Sequence, residues 1–199
     1  MSDPTGLLPL FPLQTVLFPG GVLPLHVFEA RYMDLASQCL KDDAVFGVNL
    51  IAEGSEVGAP AVPHSIGVSA RIVDWDMPQT GVLDLVTRGE RRYRILRTET
   101  GPNGLLLGEV EWLPEVAAVP LPEAYAPLVA LLQAIFAEVG EERLPPPHHF
   151  DDAEWVGNRF AELLPIPFKA KQALLEYDDT LGRLDVIRQY LDQRGVFGA

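Results

Sequence analysis

Carboxylates stand close together at Asp74 and Asp76 and at Asp151 and Asp152, imidazoles are adjacent at His148 and His149, and the one thiol is Cys39. Cations gather at Lys169 and Lys171 and in the run Arg91, Arg92, Arg94, with Lys41 apart from them. Paired carboxylates could do general acid-base work, but both pairs sit among turn formers or ahead of a helix-like stretch, where turn and capping duty accounts for them. Adjacent histidines diverge on a helix or a strand, and no Cys or carboxylate stands at ligand spacing, so they are expected in solvent and no metal is expected. The lysines lie at polar helix ends or faces, away from any serine nucleophile. Neither a G-x-x-x-x-G-K-[ST] phosphate cradle, nor a G-x-S-x-G elbow, nor an H-E-x-x-H pair occurs in the sequence. No catalytic residue and no cofactor are therefore expected. The residues that invite a different chemistry are Trp75, Met77 and Pro78, large apolar groups in a D-W-D-M-P-Q-T-G stretch that has turn formers at both ends. A thioether and flat rings on a loop suit the scattered apolar side chains of an unfolded polypeptide. Phe18 and Pro19, in an F-P-G-G turn, are the second part of this candidate peptide-binding surface. The competing expectation is that Trp75 belongs to its strand and packs inward.

With 199 residues and 48% hydrophobic content the chain can bury one large core or two small ones. Its formal net charge of −13 opposes binding to a nucleic-acid backbone, which draws affinity from Lys and Arg releasing counterions, and to an anionic membrane. A single cysteine excludes a disulfide within the chain, and Cys39 falls on an apolar helix face, where it reads as a small buried thiol. Asp3 and Pro4 stand where a secretory signal would carry basic residues, and no apolar run approaches the roughly eighteen residues of a membrane helix, so a cytoplasmic protein is expected.

The elements that must position these residues begin in Leu8 to Tyr32, where Pro9, Pro12, Pro19 and Pro24 forbid a continuous helix. Short extended runs at 8–13, 16–18 and 22–25 are expected, edge-like or bulged because of the prolines. From Phe28 the period becomes helical, with Phe28, Tyr32, Leu35, Ala36, Cys39 and Leu40 on one face. Val45 to Ile51 is apolar throughout, as a strand covered on both faces would be. Ile66 to Val73 and Gly89 to Leu96 alternate, Val82 to Thr87 forms a hairpin with the first across the Trp75 tip, and Leu106 to Trp112 closes the sheet. Arg92 and Arg94 share a strand face, with Glu90, Glu99 and Glu111 as cross-strand partners, so they read as a solvated face. Pro114 to Pro122 has no period and marks a change to helix signals. Helices follow over 123–139, after an Asp151 or Asp152 cap to about Leu164, from Pro167 to about Tyr177, and through Leu181, Leu184, Ile187 and Leu191. Gly140 to Phe150, with three consecutive prolines at 145–147, reads as a stiff spacer.

The L-P-L-F-P-L entry, the L-F-P-G-G turn and L-P-L-H-V-F-E-A-R-Y together resemble the opening of the Lon protease amino-terminal domain, which also occurs alone in short bacterial proteins. T-R-G-E-R-R-Y-R-I matches a glycine turn before a basic-then-apolar strand, and L-P-I-P-F-K-A-K-Q-A-L-L-E-Y-D-D-T-L-G-R-L resembles the family's Lys-Gln-x-Leu-Leu-Glu helix and following Arg-Leu helix. Gly182 departs from the pattern, since the family tends to carry an acidic residue there, at a local helix cost of up to ~1 kcal/mol. The resemblance implies an α+β fold: a bent mixed sheet or open barrel of about six strands, PUA-like, with one helix over 1–118, followed by a helical bundle over 119–199. It further implies a non-catalytic module that recognises unfolded or tagged polypeptides, with a protease acting in trans as a further partner and a homodimer left open. A PUA-like module for small molecules or nucleic acid is the alternative, and a hydrolase ranks third.

Overall fold

The computed structural model describes residues 6–140 and 145–197. They form two units that divide between Glu115 and Val116. In the first, seven strands make one sheet: β1 (Leu8–Leu13), β2 (Val22–Val27), β3 (Phe46–Glu53), β4 (Val62–Pro63), β5 (Ile66–Gln79), β6 (Val82–Thr100) and β7 (Leu106–Trp112). One helix, α1 (Ala30–Asp42), lies between β2 and β3. β1 pairs antiparallel with β7 through Leu8 to Leu10 and parallel with β3 through Leu10 to Leu13, so the path β1-β7-β6-β5-β3 returns to its start. The mixed sheet expected is therefore present and closes on itself rather than staying open, and the proline-rich strand expected at an edge is an inner one. Its prolines are tolerated because it changes partner at Leu10, so that each deletes a donor only from a short ladder.

Both faces of this sheet are covered: Leu10 and Tyr93 are out of water on one, Phe46, Val48 and Val68 on the other, and Phe18 and Val27 are buried as well. Each aliphatic or phenyl group of that kind contributes roughly 1.5–3 kcal/mol on burial. The polar groups taken in with them are paired: the Tyr93 hydroxyl donates to Asn49 Oδ1, and Asn49 Nδ2 donates to the His64 carbonyl at 3.0 Å. Cys39 is buried on the inner face of α1, and loss of solvent, with Asp42 adding to it, pushes its thiol up to about 11.

Three elements differ from the expected ones. α1 begins at Ala30, because Glu29 is its extended N-cap residue, and Phe28 is consequently exposed rather than part of the inner stripe; Leu40 is exposed as well. Residues 74–79, expected as a loop, continue β5 to a turn at Thr80 and Gly81. β6 is one strand where the pattern gave two, and Gly89 in its middle is the point where another backbone crosses. A Cβ at Gly89 would lie 2.4 Å from the Phe18 carbonyl oxygen. Gly20 N donates to Gly89 O and Gly89 N to Gly21 O, both at 2.8 Å, which ties the 18–21 turn to β6.

The second unit holds a 3₁₀ turn (Glu123–Tyr125) and helices α2 (Ala126–Val139), α3 (Ala153–Leu163), α4 (Phe168–Glu176) and α5 (Thr180–Gln193) around Leu128, Leu132, Phe136, Val156, Phe160, Leu184, Ile187 and Leu191. Asp152 caps α3, its Oδ1 accepting from Glu154 N and from Val119 N at 3.0 Å each. Asp179 caps α5 by accepting from Gly182 N at 3.1 Å, and a Cβ at Gly182 would stand 2.7 Å from Asp179 Oδ2 and 2.9 Å from the Tyr177 ring. The glycine that departs from the family pattern thus lets this cap close tightly. His148, expected in solvent, is half-buried and sets its ring edge-on to Phe136 with centroids 4.8 Å apart. Part of the expected spacer, 141–144, lies outside the described residues.

A buried ion pair ties α3, α4 and α5 together. Arg183 donates to Glu154 Oε1 and Asn158 Oδ1 at 2.9 Å each, and to the Leu174 and Tyr177 carbonyls at 3.1 and 2.6 Å.

Candidate functional site

Past the ring, β2, the first part of β6 and the last part of β5 continue as a three-stranded arm. Register sets its two faces: Leu25, Leu85 and Trp75 stand opposite one another, and so do His26, Asp84 and Asp76. Leu25 and Leu85 are buried, whereas Val73, Trp75 and Met77, at alternate positions of β5, are 53, 52 and 49% exposed. Trp75 therefore belongs to its strand, as one expectation had it, but it does not pack inward. Asp74 Oδ1 accepts from Trp75 N at 2.9 Å and Asp76 Oδ1 from Met77 N at 2.8 Å. On β2 the exposed residue Pro24 has no N–H at all.

Two hollows share Pro24, Leu25 and His26 as a common wall. One, of about 300 Å³, runs over the arm between Pro24, Val86, Asp74, Asp76 and Trp75. The other, of about 310 Å³, reaches from β2 to Phe11, Tyr32, Phe28 and Val57, with Glu29 and Glu56 in its wall. Among its lining residues the Phe11 and Tyr32 rings stack with centroids 3.8 Å apart. Burial raises the Tyr32 hydroxyl above its ordinary 10.0; Arg31 opposes the shift and Glu29 and Glu56 add to it. Together the hollows form a trough that follows the Pro24, His26 and Phe28 side of β2, with Phe28 (55% exposed) at one end and Asp74, Asp76 and Asp84 at the other; Trp75 borders the arm hollow from between the two aspartates of β5, its side chain on the face opposite to theirs. His26, whose Nδ1 lies 2.6 Å from Asp84 Oδ1, is the one basic side chain lining it among the described residues.

Of the residues singled out in the sequence, Trp75 lines the trough, and Met77 and Pro78 stand exposed farther out on the arm. Phe18 is wholly buried, so its ring has no surface to offer a client, and Pro19 is half-buried in the turn held to Gly89. The structure does not bring Phe18 and Pro19 together with the arm as one surface. Phe28 and Val57 beside the second hollow and Val73 on the arm are instead further large apolar groups left half exposed. For Phe28 a signal existed: Leu25 in, His26 out, Val27 in continues as a strand alternation with Phe28 out.

Among the described residues no three His, Cys, Asp or Glu side chains converge to hold a metal ion, and no helix is long and apolar enough to cross a membrane. The trough offers apolar contact and negative charge.

Comparison with known proteins supplies a frame for this geometry. The family profile described as the ATP-dependent protease La (LON) substrate-binding domain matches residues 7–193. The Lon N-terminal domain protein from Xanthomonas campestris, a crystal structure, is 37% identical with a TM-score of 0.77 and covers 94% of this chain and 99% of that one. The N-terminal domain of the Mycobacterium avium complex Lon protease shares the fold, with a TM-score of 0.63 at 22% identity over 94% of this chain and 98% of that one. The Lon protease of Anaeromyxobacter dehalogenans is 26% identical over 97% of this chain, which spans 24% of that protein's length.

Proposed function

The chain belongs to the Lon substrate-binding domain family, and from that premise we propose that it is a non-catalytic module that holds unfolded or tagged polypeptide along the trough and the outer face of the arm. The observation that carries this is the exposed apolar surface on both sides of the arm: Phe28 and Pro24 beside the two adjoining hollows, and Val73, Trp75 and Met77 at alternate positions on the other face of β5. An unfolded client presents apolar side chains without fixed shape, and half-exposed rings beside a thioether can meet them in many arrangements. The backbone contributes little. Pro24 lacks a donor, and the N–H groups of Trp75 and Met77 are already taken by Asp74 and Asp76, so a client is held by side chains rather than added as a strand. Its proposed setting is the cytoplasm, and the proposed recipient of its clients is a protease acting in trans.

The test is the triple substitution Phe28→Ser, Trp75→Ser, Met77→Ser, assayed against a permanently unfolded, fluorescently labelled polypeptide. These side chains are half exposed, so the thermal midpoint should hold within a few degrees while affinity falls about tenfold or more. Unchanged affinity, with or without a lower midpoint, overturns the proposal.

A further inference from the structure

We infer that the trough selects among unfolded clients by charge, taking extended segments in which Lys or Arg flanks an apolar residue. This rests on the polypeptide grip proposed above and adds the chemical class of its client. Carboxylates stand at both ends of the trough: Asp74, Asp76 and Asp84 around the arm hollow, Glu29 and Glu56 around the Phe28 hollow. Their nearby counter-charges are few. Glu29 is paired with Arg31 at 2.9 Å and Asp84 is hydrogen-bonded to the His26 ring, while the single hydrogen bonds that Asp74 and Asp76 accept come from neutral backbone amides and leave their charge unbalanced. Asp76 moreover faces Asp84 directly across the β5–β6 ladder, a like-charge placement that costs stability in the empty protein and is relieved when a cation sits between them. An apolar residue seated beside Phe28, Pro24 or Val86 would put the residues two places away in an extended chain, whose side chains share its face, about 6.6 Å on either side, within reach of these carboxylates for side chains as long as Lys and Arg. A client flanked by Glu would meet the same groups as repulsion.

The experiment compares three unstructured peptides with one shared apolar centre, flanked two places away by Lys, Ser or Glu, by fluorescence anisotropy at low and high salt. The Lys-flanked peptide is expected to bind about tenfold more tightly than the Glu-flanked one at low ionic strength, with the ratio falling toward one as salt screens the pairs. In Asp74→Asn/Asp76→Asn the side-chain oxygens that accept from Trp75 and Met77 remain but the charges go, so the ratio should collapse at low salt too. Glu109→Gln/Glu111→Gln serves as control, because those residues pair with Arg97 and Arg94, about ten residues along β6 from Asp84. If both double variants lower the ratio equally, the whole chain's field is responsible and the assignment to the trough fails. Equal affinity for the Lys and Glu peptides in the parent overturns the charge selection and leaves the grip standing, whereas no binding of any peptide overturns both.

Discussion

A methyl group at position 89 has nowhere to go, since it would sit 2.4 Å from the Phe18 carbonyl and 3.1 Å from Leu17 Cγ. Gly89→Ala should therefore cost about 1–3 kcal/mol, read as a midpoint lower by several degrees in a thermal melt, and an unchanged midpoint would contradict the crossing. In the second unit Glu154 is the residue to probe. Burial alone would raise its carboxyl, but Arg183, Thr180 and Asn158 outweigh that and hold it below its ordinary 4.5. A depressed folded value means that the contribution is whole above the unfolded value near 4.5 and drains away as pH falls through the lower folded value. Glu154→Gln leaves Arg183 buried without a counter-charge and should cost about 3 kcal/mol at neutral pH by chemical denaturation. The gap to the parent protein should narrow at about pH 3, and an equal gap at both pH values would sink this account. Some of this was legible in advance: a cap at Asp151 or Asp152 follows from side-chain chemistry next to a helical period. Arg183 was not, because a lone arginine among Leu181, Leu184 and Ile187 reads as the solvent side of a helix, and only the fold brings Glu154 and Asn158 from another helix to meet it.

The arm is the element in which sequence and structure part most instructively. Asp74, Asp76, Pro78 and Gly81 read as a loop because these residues favour turns, yet here they furnish an exposed strand whose carboxylates absorb its own spare donors. The same logic explains the split reading of β6, where a glycine that serves a crossing backbone looks like a break. Strands with buried faces, such as β3, were legible as apolar runs, and so were the helices of the second unit, whose inner stripes repeat at threes and fours. If Asp74 and Asp76 blunt the arm, Asp74→Ala/Asp76→Ala should free two backbone donors and produce concentration-dependent self-association by light scattering. The paired Asn substitutions, which keep an accepting oxygen, should stay as the parent does. Equal behaviour of the Ala and Asn pairs would remove this explanation.

At the scale of the whole molecule the net charge of −13 is the governing quantity for encounters with polyanions. The arginines of β6 do not counter it, since Arg94 pairs with Glu111 at 3.0 Å and Arg91 with Glu115 at 3.4 Å. A gel shift with single-stranded RNA near physiological salt should show no complex, and sub-micromolar binding with a steep salt slope would instead favour the nucleic-acid module that PUA-like folds suggest. The closure of the ring was not legible, because it depends on β1 serving two partners in opposite directions, a pairing that no local pattern encodes. β6 has a mechanical meaning as well. It is one unbroken strand from the trough to β7, so a pull along its axis on a client held as proposed would load the flanking ladders in shear. Bonds sheared side by side yield together, whereas bonds peeled from an end yield one at a time. An arm anchored in this way would resist a pull along its strands better than a pull that peels it from its tip.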